Sequence, residues 1–383
     1  MTTEEVRLGG LVTFQRGFDI TQKDQVEGAV PVYSSGGLSS YHNVHKVKAP
    51  GIIIGRKGTL GTVFYAEQDY WPHDTTLWVK SFKGNDPRFI YYFLKTLRLE
   101  RFDAGAANPT LNRNHIHSLK VSVPVAKYRT PIASILSAYD ELIDNNNQRI
   151  TILEQMAEEI YKEWFVRVRF PDHEQTPTVH GLPKGWKKIP LIDVLEVLSG
   201  GTPKTAISEY WNGEIPFFSP ADYNGELYCF NTESYITSKG LKNCTSRLFP
   251  EDTIIITARG TVGNIVLTGL PMAMNQSCFA LKAKLDLTTL YIYQLIKNTV
   301  ATLKQIANGA TFDAITIRTF EQTKAIVPSA QLRLEYDKNV QPLFGQIKIL
   351  QKKNKILQQT RDLLLPRLIS GKLSVEHLLE VDN

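Results

Sequence analysis

The chain is short of the residues from which catalytic, metal-binding and secreted proteins are usually built. It has three cysteines in 383 residues, Cys229, Cys244 and Cys278, and no Cys-x-x-Cys pair. That argues against a disulfide framework and a structural zinc site, and fits a reducing cytoplasm. No apolar run approaches the roughly 18 residues of a membrane span. The opening MTTEEVRLGG has no basic segment followed by an apolar stretch, so no secretory signal is predicted. Acidic residues are the minority: 38 against 44 Lys and Arg, for a net charge of +6 and a pI near 9.0. Such a balance favours a polyanionic partner, usually nucleic acid, although many soluble proteins are mildly basic.

Enzymatic signatures are equally scarce. The glycine-rich stretch IGRKGTLG at 54–61 lacks the G-x-x-x-x-G-K-[ST] spacing of a nucleotide loop. DNA methylation needs a glycine-rich adenosylmethionine loop and an Asn/Asp-Pro-Pro-aromatic tetrapeptide. The nearest string, NPTL at 108–111, has neither the second proline nor the aromatic. No Glu/Asp-x-Lys element of a metal-dependent nuclease occurs. His42, His45, His115 and His117 have no accompanying ligands, and no Ser/His/Asp or Cys/His constellation can be assembled. The expectation is a reader and scaffold with no catalytic, cofactor or metal residues.

What the chain does have is written twice. Residues 256–263, ITARGTVG, repeat 54–61 about 200 residues later. Gly58, Thr59 and Gly61 match Gly260, Thr261 and Gly263, and Lys57 matches Arg259. His73-Asp74-Thr75 falls on Asn275-Gln276-Ser277 and PVYSS (31–35) on PFFSP (216–220). Asn108–Asn112 resembles Gly309–Asp313, and VSVPV (121–125) falls on AIVPS (325–329). Short β-branched runs broken by Gly, Asn, Asp and Pro predict strands. Helical patterns cover 88–102 and 287–307. Each half is therefore expected to be an α+β domain followed by an appendage.

The appendage is helical. From Pro131, seam residues fall at Ile132, Leu136, Tyr139, Ile143, Asn146, Ile150, Leu153, Ala157, Ile160 and Trp164, in alternating steps of four and three. That is a heptad seam. Shifted by 204 residues it lands on Tyr336, Val340, Leu343, Ile347, Leu350, Asn354, Leu357, Arg361, Leu364 and Leu368. Thr130 is expected to cap the first helix, with Pro131 in its first turn. Pro342 is expected to break or kink the second. Two matching seams, so long and regular, favour an antiparallel coiled coil over two separate core helices in their own domains. Asn146 and Asn354 either meet polar partners and fix its register or face solvent at a frayed edge.

The predicted layout is a recognition domain at 1–128, a spacer helix at 129–170, a linker at 171–183, a second recognition domain at 184–328, a second spacer helix at 329–371 and a tail at 372–383. Lys57 and Arg259, with Arg56 in the first copy only, stand where they can contact phosphate or a guanine edge. Thr59 and Thr261 can bond backbone or phosphate. The alternative is a plain β-turn with a solvated cation. His73 and Asp74, against Asn275 and Gln276, suit base edges or strand-end hydrogen bonds. Asn112 and Arg113 offer donors that the second copy lacks. In the divergent loops, Ser34, Tyr41, Lys204, Ser219 and Tyr223 are further candidates. The basic C-terminal helix, with Lys348, Lys352, Lys353, Lys355, Arg361 and Arg367, faces either DNA, an acidic partner or solvent.

With these features in place, the whole chain resembles the specificity (S) subunit of Type I restriction–modification systems. The resemblance rests on the doubled domain-plus-helix plan and on IIIGRKGTLG, YKEWFVRVRFP (161–171), GLPKGWK (181–187) and LLPRLISGKLSV (364–375). It implies a non-catalytic cytoplasmic subunit. Its two recognition domains each read half of a bipartite site on double-stranded DNA, and its helices set the spacer. It also implies two modification subunits that use S-adenosylmethionine and two motor/nuclease subunits that use ATP and Mg, with no membrane partner. The first recognition domain begins almost at once, near Val6. That leaves few residues for the N-terminal segment that family members often pair with the C-terminal tail.

Overall fold

The computed structural model describes residues 1–102, 110–308 and 314–379. The chain divides into two compact units, Met1–Asp144 with Lys355–Asn383, and Asn145–Asn354.

Both units follow one plan. A two-stranded antiparallel ribbon pairs Thr3–Arg7 with Lys120–Pro124 in the first unit and Lys187–Pro190 with Lys324–Val327 in the second. A single helical turn follows the first strand, Leu8–Leu11 or Leu191–Val194. The main sheet of the first unit runs Thr13–Arg16, Thr76–Ser81, Gly51–Gly55, Val63–Ala66. That of the second runs Leu195–Ser199, Cys278–Ala283, Ile254–Thr257, Ile265–Thr268 and adds an edge strand, Tyr228–Cys229, parallel to the last. A three-stranded sheet completes each unit. It contains Gly37–His42, Val30–Ser34 and Trp71–Pro72, or Ser234–Ile236, Trp211–Phe218 and Ala273–Met274.

The local sequence explains these elements. Ile52–Ile54 and Ile254–Ile256 are unbroken apolar runs because both faces of the central strand are covered, and all six isoleucines are fully buried. The helix Pro87–Thr96 has Asp86 as cap, its side chain accepting from the Phe89 N–H at 2.9 Å, and a proline in its first turn. It is shorter than the expected 88–102. Arg98 adopts φ +49°, and Leu99–Phe102 continues as a separate 3-10 turn. The expected helix at 287–307 is Thr289–Asn308.

The long helices are Ala126–Tyr161 and Ala330–Ile369. They pair antiparallel. In the first unit Ile132 and Leu136 share a core with Leu365 and Leu368, and Asp140 meets Arg361. In the second, Ile150 and Ala157 share a core with Tyr336, Val340, Ile347 and Leu350. Of the remaining seam residues, Ile143 is buried, while Leu153, Ile160, Leu343, Leu357 and Leu364 are partly buried. Each fully buried Leu or Ile contributes about 1.5–3 kcal/mol relative to an exposed one.

Asn146 and Asn354 are buried, 3% and 5% exposed. The Asn146 amide donates to Asn354 Oδ1 at 2.8 Å, and the Asn354 amide donates to Asn147 Oδ1 at 2.8 Å. Of the two readings, the polar partnership holds.

Both proline expectations need correction. The first helix starts at Ala126, so Pro131 lies inside it and not in its first turn, and Thr130 is no cap. Tyr128 and Arg129 are buried here, and the Arg129 Nε–H donates to the Pro124 carbonyl at 2.9 Å. This packing holds the extra turn despite the one N–H that proline lacks. The second helix continues through Pro342 without a break. Pro342 is exposed, so the carbonyl it leaves unpaired has access to water.

Candidate nucleic-acid interface

The repeated turn is held by one set of backbone bonds used twice. In the first unit Gly55 N–H donates to the Thr62 carbonyl (2.9 Å) and Gly61 N–H to the Gly55 carbonyl (2.9 Å). Arg56 and Lys57 N–H groups both donate to the Thr75 carbonyl (2.8 and 3.1 Å), and Leu111 N–H donates to the Arg56 carbonyl (3.0 Å). In the second unit, Thr257 pairs with Asn264, Gly263 with Thr257, Ala258 and Arg259 with Ser277, and Ile315 with Ala258, at 2.7–3.2 Å. Four glycines carry positive φ: Gly58 (+76°), Gly61 (+75°), Gly260 (+80°) and Gly263 (+84°). Only glycine enters that region freely, which is why the turn keeps them in both copies.

This frame brings candidates together within each unit. The Thr75 carbonyl ties His73-Asp74 to the turn that presents Lys57 and Thr59, both exposed. His73 N–H donates to the Tyr33 carbonyl at 2.8 Å, which sets Ser34 beside it. A cleft of about 250 Å³ is lined by Ser34, Ser35, His73 and Thr75 among others. After Leu111, which is bonded to the turn, the chain carries exposed Asn112 and Arg113; Asn112 Oδ1 caps the short helix Arg113–Ser118 through the Asn114 N–H at 2.9 Å. Asn108–Pro109 and Gly309–Asp313, the other repeated string, lie outside the described residues.

In the second unit Arg259 and Thr261 are exposed on the equivalent turn. The Ser277 carbonyl binds it to Asn275-Gln276, and Asn275 N–H donates to the Phe218 carbonyl at 2.9 Å, next to Ser219. Gln276 Oε1 accepts from the Thr202 hydroxyl, and Asn275 Oδ1 from the Ser277 N–H at 3.0 Å. Ser219 is committed to its own turn: its N–H and hydroxyl both donate to Asp222, at 2.7 and 2.8 Å. Tyr223 is half-buried against the Phe218–Met274 core. Lys204 is exposed on the same unit's loop, and its carbonyl accepts from Trp211 Nε1 at 3.3 Å. Tyr41 is exposed on its strand, where it pairs with Pro31.

Electrostatics separate the two copies. Asp74 bonds Arg16 at 2.7 Å and lies 3.1 Å from His73 Nδ1. Burial pushes its carboxyl up, but the Arg16 bond and the charges of His73, Arg16 and Lys57 together hold it below the ordinary value. Burial and the Arg16 charge push the Arg56 guanidinium below its usual range. Asp19, His73 and Asp74 lie close enough to share a cation. Asp74 is already paired with Arg16 and lies in the positive field of Lys57, which disfavours a further cation there.

Sequence reasoning missed Arg16, whose pairing with Asp74 spans 58 residues and has no local signal. It also missed Gly17 and Gly200. A Cβ at either would strike the backbone carbonyl of His73 or Asn275, so each glycine lets one strand pass against the stretch that carries His73-Asp74 or Asn275-Gln276. His42 is buried: its Nδ1 accepts from the Val26 N–H at 3.0 Å and its ring meets Trp71 edge-on. On the basic C-terminal helix, Lys348, Lys352 and Arg361 are held in internal contacts. Lys348 pairs with Glu251 and Asp252 (2.8 and 2.7 Å), Lys352 lies over Phe230, and Arg361 pairs with Asp140 and Asp362.

The family model described as the Type I restriction modification DNA specificity domain matches residues 2–155 and again 183–359. The chain belongs to that family. It is a Type I specificity subunit, a non-catalytic DNA-recognition component of a larger complex. It is 27% identical over 304 residues to the MjaIX specificity subunit of Methanocaldococcus jannaschii, covering 76% of this chain and 70% of that protein. It is 22% identical over 327 residues to the HindI specificity subunit of Haemophilus influenzae, covering 69% and 71%. In fold it is similar to the crystal structure of an S subunit from M. genitalium, with a TM-score of 0.64, 18% identity and 96% of each chain covered. No helix among the described residues of this specificity subunit is long and apolar enough to cross a membrane.

Proposed function

We propose that this specificity subunit reads a bipartite, asymmetric site on double-stranded DNA, one half with each recognition domain. Residues 1–128 and 184–328 are the readers, 129–170 and 329–371 the spacer helices, 171–183 the linker and 372–383 the tail. The observation that carries this reading is one hydrogen-bonded frame used twice with different side chains on it. Arg56-Lys57 and His73-Asp74 stand in one copy, Ala258-Arg259 and Asn275-Gln276 in the other. Lys57, Arg259, Arg56 and Arg113 contact phosphate or guanine, and Asn275 and Gln276 suit adenine edges. Thr59, Thr261, His73, Asp74, Asn112, Ser34, Tyr41, Lys204, Ser219 and Tyr223 complete the contact set.

The helices act as the ruler between half-sites, as rigid geometry does in dimeric DNA readers. They also dock two modification subunits, which bring S-adenosylmethionine, and the complex takes two motor/nuclease subunits that use ATP and Mg. This chain holds no cofactor of its own and works in the cytoplasm. Large apolar side chains exposed at seven-residue steps on the C-terminal helix, Ile349, Ile356 and Leu363 (56%, 62% and 71% exposed), support a helical partner there.

The test is a map of methylated adenines in the source cell with and without this gene. A split, asymmetric motif that vanishes with the gene is expected. An unchanged map, or methyl transfer by the isolated chain, would contradict the reading. A seven-residue insertion in the central helix adds about 10.5 Å of rise, or about three base pairs of spacer, and should leave both half-sites unchanged.

A further inference from the structure

The two units differ at one edge of the main sheet. In the second unit the outer side of Ile265–Thr268 is covered by the chain's own strand. Leu267 N–H donates to the Leu227 carbonyl at 2.8 Å and Gly269 N–H to the Cys229 carbonyl at 2.7 Å. That strand is also fastened to the long helix: Tyr228 N–H donates to Gln351 Oε1 at 3.1 Å, and Lys348 Nζ lies 5.1 Å from the centre of the Tyr228 ring. The strand thus fills the space between sheet edge and helix.

In the first unit the equivalent strand, Val63–Ala66, ends its sheet, and no strand among the described residues pairs with its outer side. Tyr65 stands where Leu267 does, opposite Ile52 as Leu267 is opposite Ile254. The space between this edge and the helix is an open cleft of about 620 Å³, lined by Tyr65, Glu67, Tyr91, Asp140, Glu141 and Asp144 among others. The helix wall of this cleft differs in charge from the filled copy at one seam position. When the two seams are superposed, Asp144 stands at the position of Lys348. Arg88 pairs with Glu67 and Glu141, and Arg361 with Asp140. Asp144 has no ion pair among the described residues, and burial, then the charges of Asp140 and Glu67, push its carboxyl above its ordinary range. An added positive charge would offset the repulsion from Asp140 and Glu67.

We propose that this cleft takes an extended, basic segment of a partner protein, which adds as a strand to the edge of Val63–Ala66 and sets a Lys or Arg against Glu141 and Asp144. The filled copy supplies the template for the backbone, and the acidic, tyrosine-rich wall supplies the preference for a cation. The inference is independent of the DNA-reading assignment, since the acidic wall would repel phosphate.

Two labelled synthetic peptides test it on the full chain by fluorescence anisotropy. Both carry the Leu-Tyr-Ser-Phe pattern of residues 227–230 with Ser for Cys229; one is flanked by lysines, the other by glutamates. The lysine peptide should bind at least about tenfold tighter, and Asp144→Asn and Glu141→Gln should each reduce that preference. Hydrogen exchange of the wild-type chain should show new protection at the Tyr65 and Glu67 amides when the lysine peptide is present. Equal binding of the two peptides, no binding of the lysine peptide, or protection confined to other strands would overturn the proposal.

Discussion

Replacing Asn354 with leucine removes the acceptor of the buried Asn146 amide and the donor to Asn147. Asn147 is exposed and recovers a water, so its loss is small. Asn146 is 3% exposed, and its orphaned N–H costs about 1–3 kcal/mol. Both residues belong to the unit Asn145–Asn354. For a body of that size about 1 kcal/mol moves the melting midpoint by about 2–4 °C, so the single variant should melt roughly 2–12 °C lower. The double variant Asn146→Leu, Asn354→Leu removes both partners and continues the apolar seam, so its stability should return to the wild-type level or exceed it. It gives up the polar pair that fixes register. The assay is a double-mutant cycle by thermal or urea unfolding of the purified chain, with coupling of about 1–3 kcal/mol expected. Additive losses in the double variant would refute the pairing.

Further outcomes follow from the turn and its supports. Lys57→Ala and Arg259→Ala should each weaken DNA binding by the assembled complex and lower the slope of log K against log salt by about 0.9, if each cation neutralises one phosphate; unchanged slopes would rule out those contacts. Gly17→Ala and Gly200→Ala force a Cβ onto the His73 or Asn275 carbonyl and should cost about 1–3 kcal/mol each, read by thermal unfolding. Asp74 is held below its ordinary value of 3.8, so its stabilising contribution is present in full above that value and fades as the pH falls through the folded one. The stability gap between wild type and Asp74→Asn should therefore be larger at pH 7 than at pH 3, and an equal gap at both would contradict the Arg16 pairing.

The sequence made the periodic and repeated parts of this molecule legible. The steps of four and three along Ile132–Trp164 follow from helical geometry alone, and the glycines of the two turns are fixed by their positive φ. What depends on distant packing was not legible. Asn146 could be placed on the seam, but its partner depends on the register of a helix 208 residues away. Proline chemistry argued for a helix start at Pro131 and a break at Pro342, and the burial of Tyr128 and Arg129 and the exposure of Pro342 overrode both. The extra strand Tyr228–Cys229 is two residues long and gives no periodic signal. Arg16 and the two close-approach glycines act across the three-dimensional frame and likewise leave no trace in local spacing.

The central claim is that each frame reads its own half of the site. Its most direct test is a map of methylated adenines in cells whose only specificity subunit carries Asn275→Ala and Gln276→Ala. The account predicts that one half of the recognised motif relaxes or changes, while the other half and the spacer stay as in wild type. Changes in both halves, or an intact motif, would contradict it.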